Sequence, residues 1–309
     1  MILRLGSKGA FVIEVQKFLG LTQTGSFDSI TESAVREWQK SNGLTSDGIV
    51  GPKTWNAMGL ATTDIKESID SDTTGFTFKR EYLPSREYMA GPVPKRWIFL
   101  HHTAGWNDPF ATIKAWGRDT RGSVATEWVL GGQKINDNND THDGVLVQAF
   151  PEGGYGWHLG TGNSAMHRES VGIEVCNFGY LTKGGYTKDG KWVALKPNSY
   201  YTYVGTEADP SQLVTLSEPF RGYSVWHRYS DRQISVLKDL ILYTSNRYNI
   251  DPRKGLVEQI HKLGANKAFD LCDVKMAERT VGMWSHTNVI RGKFDMFPQQ
   301  ELVDMLLTL

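Results

Sequence analysis

The apolar positions change their period along the chain. Near the N-terminus they recur every three or four residues: Val12, Val15 and Leu19 with Gln16 between them, then Ala34, Val35 and Trp38. That spacing lays a stripe along one face of a helix. Gly20 ends the first predicted helix and Asn42-Gly43 the second, for which Ser29 and Thr31 are the candidate N-caps. After the turn Asp47-Gly48-Ile49-Val50-Gly51-Pro52, Pro52 opens a short third helix carrying Trp55 and Met58. Residues 1–60 are therefore expected to form a small three-helix, all-α domain.

Residues 61–92 are polar and turn-rich and read as a linker. Phe76, Phe78, Tyr82 and Tyr88 are too apolar for a free tether, so the second half is expected to lie against the next domain. From 93 to 309 the period alternates. Short apolar runs at 97–101, 126–130, 145–150 and 170–177 read as strands, and 108–116, 229–248 and 299–309 as helices. This predicts an α/β domain, with a central, mainly mixed β-sheet flanked by helices. Two tracts break the rhythm. The Tyr-rich stretch 180–222, with hairpin turns at Lys183-Gly184-Gly185-Tyr186 and Lys188-Asp189-Gly190-Lys191, reads as an inserted wall or lid. The charged stretch 253–280 reads as a second, irregular insertion.

Composition narrows the function. Lys+Arg and Asp+Glu are equal at 34 each, so nothing points to nucleic acid or an anionic membrane surface. Two cysteines, Cys176 and Cys272, make no disulfide framework. No run resembles a signal peptide or a membrane span, so if the protein acts outside the cytoplasm something else is expected to release it. HExxH and CxxC are absent, which excludes the common metalloprotease and zinc-ribbon layouts.

The candidate chemistry starts where the first strand of the larger domain ends, at His101-His102. Side chains alternate along a strand, so these two imidazoles face opposite ways and one of them can reach a site. His101, His286 and Asp295 are the candidate metal ligands. Two imidazoles, one carboxylate and a water would make an open tetrahedral zinc site, the catalytic kind, in which the pKa of the water falls to about 7. Glu174 sits in an otherwise apolar strand, where a carboxylate is either used or paired with an Arg or Lys. Lys293, two residues before Asp295, either faces a developing oxyanion or is a solvated loop lysine. His158, Trp157 and Thr103 are the candidates for substrate contact; His158 reads equally as a structural hydrogen-bonding histidine. Cys176 shares the strand face of Glu174 and reads as small core filler.

The first unit resembles the peptidoglycan-binding domain of cell-wall hydrolases. The resemblance is carried by Gly6-Ser7-Lys8-Gly9, Val12, Gln16, Leu19, Gly25, Thr31, Ala34-Val35, Trp38-Gln39 and the stretch from Asp47 to Trp55. Taken alone, such a helical unit would serve equally for dimerisation or as a spacer. The larger domain resembles the zinc N-acetylmuramoyl-L-alanine amidase family, which includes phage lysozyme-type amidases and peptidoglycan recognition proteins. The matching pieces are Phe99-Leu100-His101-His102-Thr103-Ala104, Asp143-Gly144 with Gln148, Gly156-Trp157-His158-Leu159-Gly160, Ser170-Val171-Gly172-Ile173-Glu174, Ser285-His286 and Lys293-Phe294-Asp295. The resemblance selects His101 over His102, gives zinc as the cofactor with His101, His286 and Asp295 as ligands, and makes Glu174 and Lys293 catalytic. It implies a monomeric phage endolysin whose partner is bacterial peptidoglycan, without nucleic acid or membrane insertion, held in the host cytoplasm until lysis. Met296-Phe297-Pro298 departs from the Pro-Gly that often follows the last ligand, and Thr126 stands where some members carry Tyr. Two other readings stand beside this one: a peptidoglycan recognition protein without hydrolysis, and a zinc peptidase of the stem peptide.

Overall fold

The computed structural model describes residues 3–7, 10–59, 70–71, 77–120, 122–137, 139–160 and 162–309. Lys8 and Gly9 of the first turn, most of the linker and Phe76 lie outside the described residues. The chain divides into two compact units, Met1–Glu67 and Ser68–Leu309.

The first unit holds α1 (Ala10–Phe18), α2 (Ser29–Ser41) and α3 (Pro52–Ala57). Val12, Val15, Val35, Val50 and Trp55 form its core. The cap of α2 is Asp28, not Ser29 or Thr31; Asp28 Oδ1 accepts the Thr31 N–H and hydroxyl, each at 2.8 Å. Two buried glutamines organise the loops. Gln39 accepts the Gly48 N–H (2.9 Å) and donates to Asp47, the Ile49 carbonyl and Thr54. Gln16 repeats the pattern with Gly25, the Ser26 carbonyl and Thr31. A buried amide with all its partners holds a loop far more firmly than an exposed one. Gly48 has φ 70°, and a Cβ there would come within 2.8 Å of the Arg36 and Glu32 side chains, so glycine is favoured at this turn.

The second unit is built on a seven-stranded mixed sheet of order β1-β2-β5-β4-β6-β3-β13. The strands are β1 (Asp70–Ser71), β2 (Thr77–Arg80), β3 (Trp97–His102), β4 (Trp128–Leu130), β5 (Leu146–Gln148), β6 (Ser170–Val175) and β13 (Gly282–Ser285). Six of them form the body, and the two-residue β1 extends one edge. β4, β6, β3 and β13 run parallel, whereas β4 and β5 are antiparallel. Phe78 is buried in the sheet's main core and Tyr88 stacks on Phe150, so the second half of the expected linker is packed.

Strand alternation sorts the side chains into two layers. Ile98, Leu100, Val171 and Ile173 face α6 (Asp231–Tyr248) and the closing helix α10 (Gln300–Leu306). The caps of α6 explain its length: Ser230 and Gln233 form a reciprocal capping box, and Asn249 closes the helix in the left-handed region (φ 53°). On the opposite face, α4 (Pro109–Trp116) packs through Ile113 against Val129 and Val147, while Phe99, Trp284 and Met166 of α5 (Ser164–Arg168) form a separate cluster. The cleft lies on this face.

The insertion at 180–222 extends into a set of small hairpins reaching 227. β7 (Thr182–Lys183) pairs with β10 (Tyr200–Tyr201) around the hairpin of β8 (Gly185–Lys188) and β9 (Lys191–Ala194). Asp189-Gly190 turns that hairpin with φ 50° and 74°, as two-residue hairpins require. The expected turn at Lys183–Tyr186 instead separates β7 from β8. Arg221-Gly222 turns a second hairpin, β11 (Leu213–Phe220) to β12 (Tyr223–His227). The stretch 253–280 is not irregular: it forms α7 (Leu256–Leu263), α8 (Ala265–Asp270) and α9 (Val274–Arg279). Helices of six to eight residues complete too few turns for their period to stand out among charged positions. Among the described residues no helix is long and apolar enough to cross a membrane.

Candidate metal centre

The site is a row across three adjacent parallel strands. In the β3–β6 register His101 lies opposite Glu174, and in the β3–β13 register Leu100 lies opposite Ser285, which brings His286 level with His101. Paired residues of neighbouring strands point to the same face, so Glu174, His101 and His286 stand side by side at the strands' carboxyl ends. That is where open α/β sheets place ligands. Asp295 comes from the loop beyond β13. One ligand atom from each of His101, His286 and Asp295 lies within 4.8 Å of the others, and all three residues are buried.

Hydrogen bonds decide which nitrogen each imidazole presents. His286 Nε2 is 3.1 Å from the Leu159 carbonyl, which can only accept, so Nε2 carries a proton, and in the metal-binding tautomer Nδ1 presents its lone pair beside Asp295. The Ser170 hydroxyl donates to the His167 carbonyl (3.3 Å) and therefore accepts from His158 Nε2 (2.8 Å). His158 Nδ1 is left to accept from His101 Nε2 (2.9 Å), and His101 Nδ1 is also a lone pair. The two Nδ1 atoms are 2.9 Å apart, and Asp295 Oδ2 lies 2.6 Å from one and 3.4 Å from the other. Three electron-pair donors converging on one point repel one another unless a cation stands among them. Two neutral imidazoles and a carboxylate fit zinc.

Burial, then the neighbouring His286, holds His101 down to about 4, so it is neutral. Burial and the surrounding imidazoles hold His158 well below the usual range. Burial opposes ionisation of Asp295, but hydrogen bonding and positive charge at the His101 and His286 rings, the place a bound cation would take, outweigh it and hold the carboxyl well below the ordinary carboxylate range. Burial, then the Asp295 charge, pushes Glu174 up to about 8 against the pull of Lys293.

Glu174, Lys293, Thr103 and His158 join the ligands around one cleft of about 470 Å³. The Thr103 hydroxyl accepts the Asn177 N–H (3.1 Å) at the cleft wall. Trp157 is not among the lining residues; it is 40% exposed and packs against His167 with ring centres 4.9 Å apart. Cys176 is fully buried on the α4 side as filler, and burial raises its thiol pKa.

Several contributors escaped the sequence reading. His102, on the opposite face of β3, is buried; its Nδ1 accepts the Met296 N–H (3.1 Å) and lies 2.8 Å from Tyr229 Oη. Met296 has φ 62°, a costly conformation for a residue with a side chain, directly after the carboxylate ligand. Gln299 clamps the same loop by exchanging hydrogen bonds with the Tyr229 backbone (2.7 and 3.0 Å). Arg221, at the turn of the inserted hairpin, donates to the carbonyls of Lys293 and Thr287 and pairs with Asp270. The adjacency of His101 and His102 hinted at the first of these; an arginine in a turn gives no such signal.

Comparison with known proteins assigns both units to families. Residues 14–58 match a family described as putative peptidoglycan binding domain, and residues 91–275 match the N-acetylmuramoyl-L-alanine amidase family. The second match includes His101 and Glu174 and stops before His286, Lys293 and Asp295. No curated protein matches the chain. Among solved structures, the Burkholderia AP3 phage endolysin is 40% identical over 19% of this chain and 24% of its own, with a TM-score of 0.19. The chain thus spans about a quarter of that endolysin. An AmpD derivative is 14% identical over 74% of this chain and 93% of its own (TM-score 0.37). The amidase AmiD from E. coli, in complex with anhydro-N-acetylmuramic acid-L-Ala-D-gamma-Glu-L-Lys, is 20% identical over 59% and 53% (TM-score 0.30). With its amidase match covering more than half of its residues, and a peptidoglycan-binding domain ahead of it, the chain belongs to the N-acetylmuramoyl-L-alanine amidase family.

Proposed function

We propose that the protein hydrolyses the amide between N-acetylmuramic acid and L-alanine in bacterial peptidoglycan, with zinc held by His101, His286 and Asp295. The observation that carries this is the convergence of two buried imidazoles and a carboxylate beside Glu174 in one cleft. Zinc with three protein ligands supplies a Lewis acid and makes water acidic enough to react near neutral pH. Glu174, level with His101, accepts the proton from the attacking water and returns it to the leaving nitrogen. A carboxyl held up to about 8 can both take and give a proton near neutral pH. Lys293, exposed on the loop that leads to Asp295, presents its ammonium to the oxyanion that forms on the carbonyl. Thr103 lies on the wall of the same cleft.

Product analysis tests the assignment. Mass spectrometry of digested murein is expected to find a free lactyl carboxylate together with a new L-alanine amine. Cuts inside the stem peptide, or stoichiometric zinc without turnover, would reject it in favour of a peptidase or a recognition protein.

The first unit, with its own core, is proposed to tether the enzyme to the wall, the organisation of a phage endolysin. Deleting residues 1–60 is expected to weaken wall binding by at least about tenfold, since a second attachment point raises effective concentration. Cleavage of soluble muropeptides should change little. Equal losses in the two assays would contradict the tether.

A further inference from the structure

The stretch 156–160 touches both ligand histidines. It supplies the acceptor for His101 Nε2 through the His158 ring (2.9 Å) and the acceptor for His286 Nε2 through the Leu159 carbonyl (3.1 Å). The surrounding residues are shaped to hold it. A Cβ on Gly156 would come within 2.5 Å of the Ala125 carbonyl, so only glycine lets the two backbones approach. The Trp157 N–H donates to the Ser123 carbonyl (2.7 Å), and Gly160 turns the chain away at φ 67°. The His158 ring lies in a slot opened by Gly172 of β6, two residues before Glu174. A Cβ there would stand 3.1 Å from His158 Nδ1 and 2.7 Å from Thr126 Cγ2.

We propose that residues 156–160 are the template of the metal centre: they take the Nε2–H proton of both ligand histidines and so fix both Nδ1 lone pairs on the same point. This rests on the metal-site reading above. His158 is then a positioning residue, anchored in turn by Ser170, and not a substrate contact. Trp157 braces the relay from outside by packing on His167, whose carbonyl receives the Ser170 hydroxyl. A ligand imidazole whose second nitrogen lacks its acceptor is free to rotate or change tautomer, and such outer partners are typically worth about 10–100-fold in metal affinity.

The test uses the full-length protein and zinc alone, titrated against a chromophoric chelator without substrate. His158→Leu is expected to lower zinc affinity by about 10–100-fold. His158→Asn, whose Oδ1 stands where Nδ1 stood, should retain most of it. A His158→Leu protein that keeps the wild-type circular dichroism and the wild-type zinc affinity would overturn the proposal, as would equal losses in the folded Leu and Asn variants. Long-range ¹H–¹⁵N spectra of the zinc-loaded wild type provide a readout without mutation. His101, His158 and His286 should all appear protonated at Nε2; finding His158 protonated at Nδ1 reverses the relay and overturns it. Failure of the wild type to take up zinc would instead sink the metal site itself, a result distinct from the loss of the relay alone.

Discussion

Glu174→Gln is expected to bind zinc as the wild type does and to lose about 10²–10⁴-fold in turnover, the usual worth of a positioned acid–base group. The amide has nearly the shape of the carboxyl, so the row across β6, β3 and β13 should stay in register and the three ligands stay in place. What disappears is a group able to accept a proton. The environment of Glu174 argues for use over mere packing. It stands among Val171, Ile173 and Val175, yet its side chain turns to the opposite face, toward the cleft, where burial and the Asp295 charge hold its proton more tightly than water would. Single-turnover rates on soluble muropeptide, with zinc content measured on the same sample, decide the matter. A variant with full zinc and most of its activity would remove Glu174 from the mechanism.

The second large effect comes from the ligands. Four-ligand structural zinc sites bind with about 10–16 kcal/mol at neutral pH. Losing one of three donors therefore costs a few kcal/mol, on the order of a hundredfold or more in affinity. His286→Ala should fail to retain zinc through dialysis and show turnover at background. Chelation of the wild type should abolish activity and added zinc restore it; the same addition should not rescue the variant. Activity in His286→Ala after exhaustive chelation would refute a metal-dependent reaction. His286→Ala also strips the Leu159 carbonyl of its donor, but that is a single neutral hydrogen bond worth about 1 kcal/mol, too little to mimic the loss of a ligand.

The central strands were legible because each is a short apolar run with an abrupt polar end. The run 97–102 shows both its burial and the residue it delivers. His286 and Asp295 were legible through family likeness, since nothing in the spacing of residues 101, 286 and 295 says that they meet. What the sequence hid falls into physical classes. The Leu159 acceptor is a backbone carbonyl, which no residue type marks. Arg221 acts across a fold the sequence does not spell out, from a turn whose residue could have been any that tolerates φ 50°. The short helices α7 and α8 owe their stability to packing into the main core, through Leu256, Ile260 and Phe269, more than to local preference. At the α2 cap three adjacent residues could all have served, and geometry chose Asp28.

The two histidines of the row lie 185 positions apart, and the second follows the last strand to join the sheet. A ribosome making this chain therefore completes the first unit and six of the seven strands while the growing product still lacks two of the three candidate ligands. The candidate metal centre therefore cannot be complete in a growing chain before β13 has been made and paired beside β3.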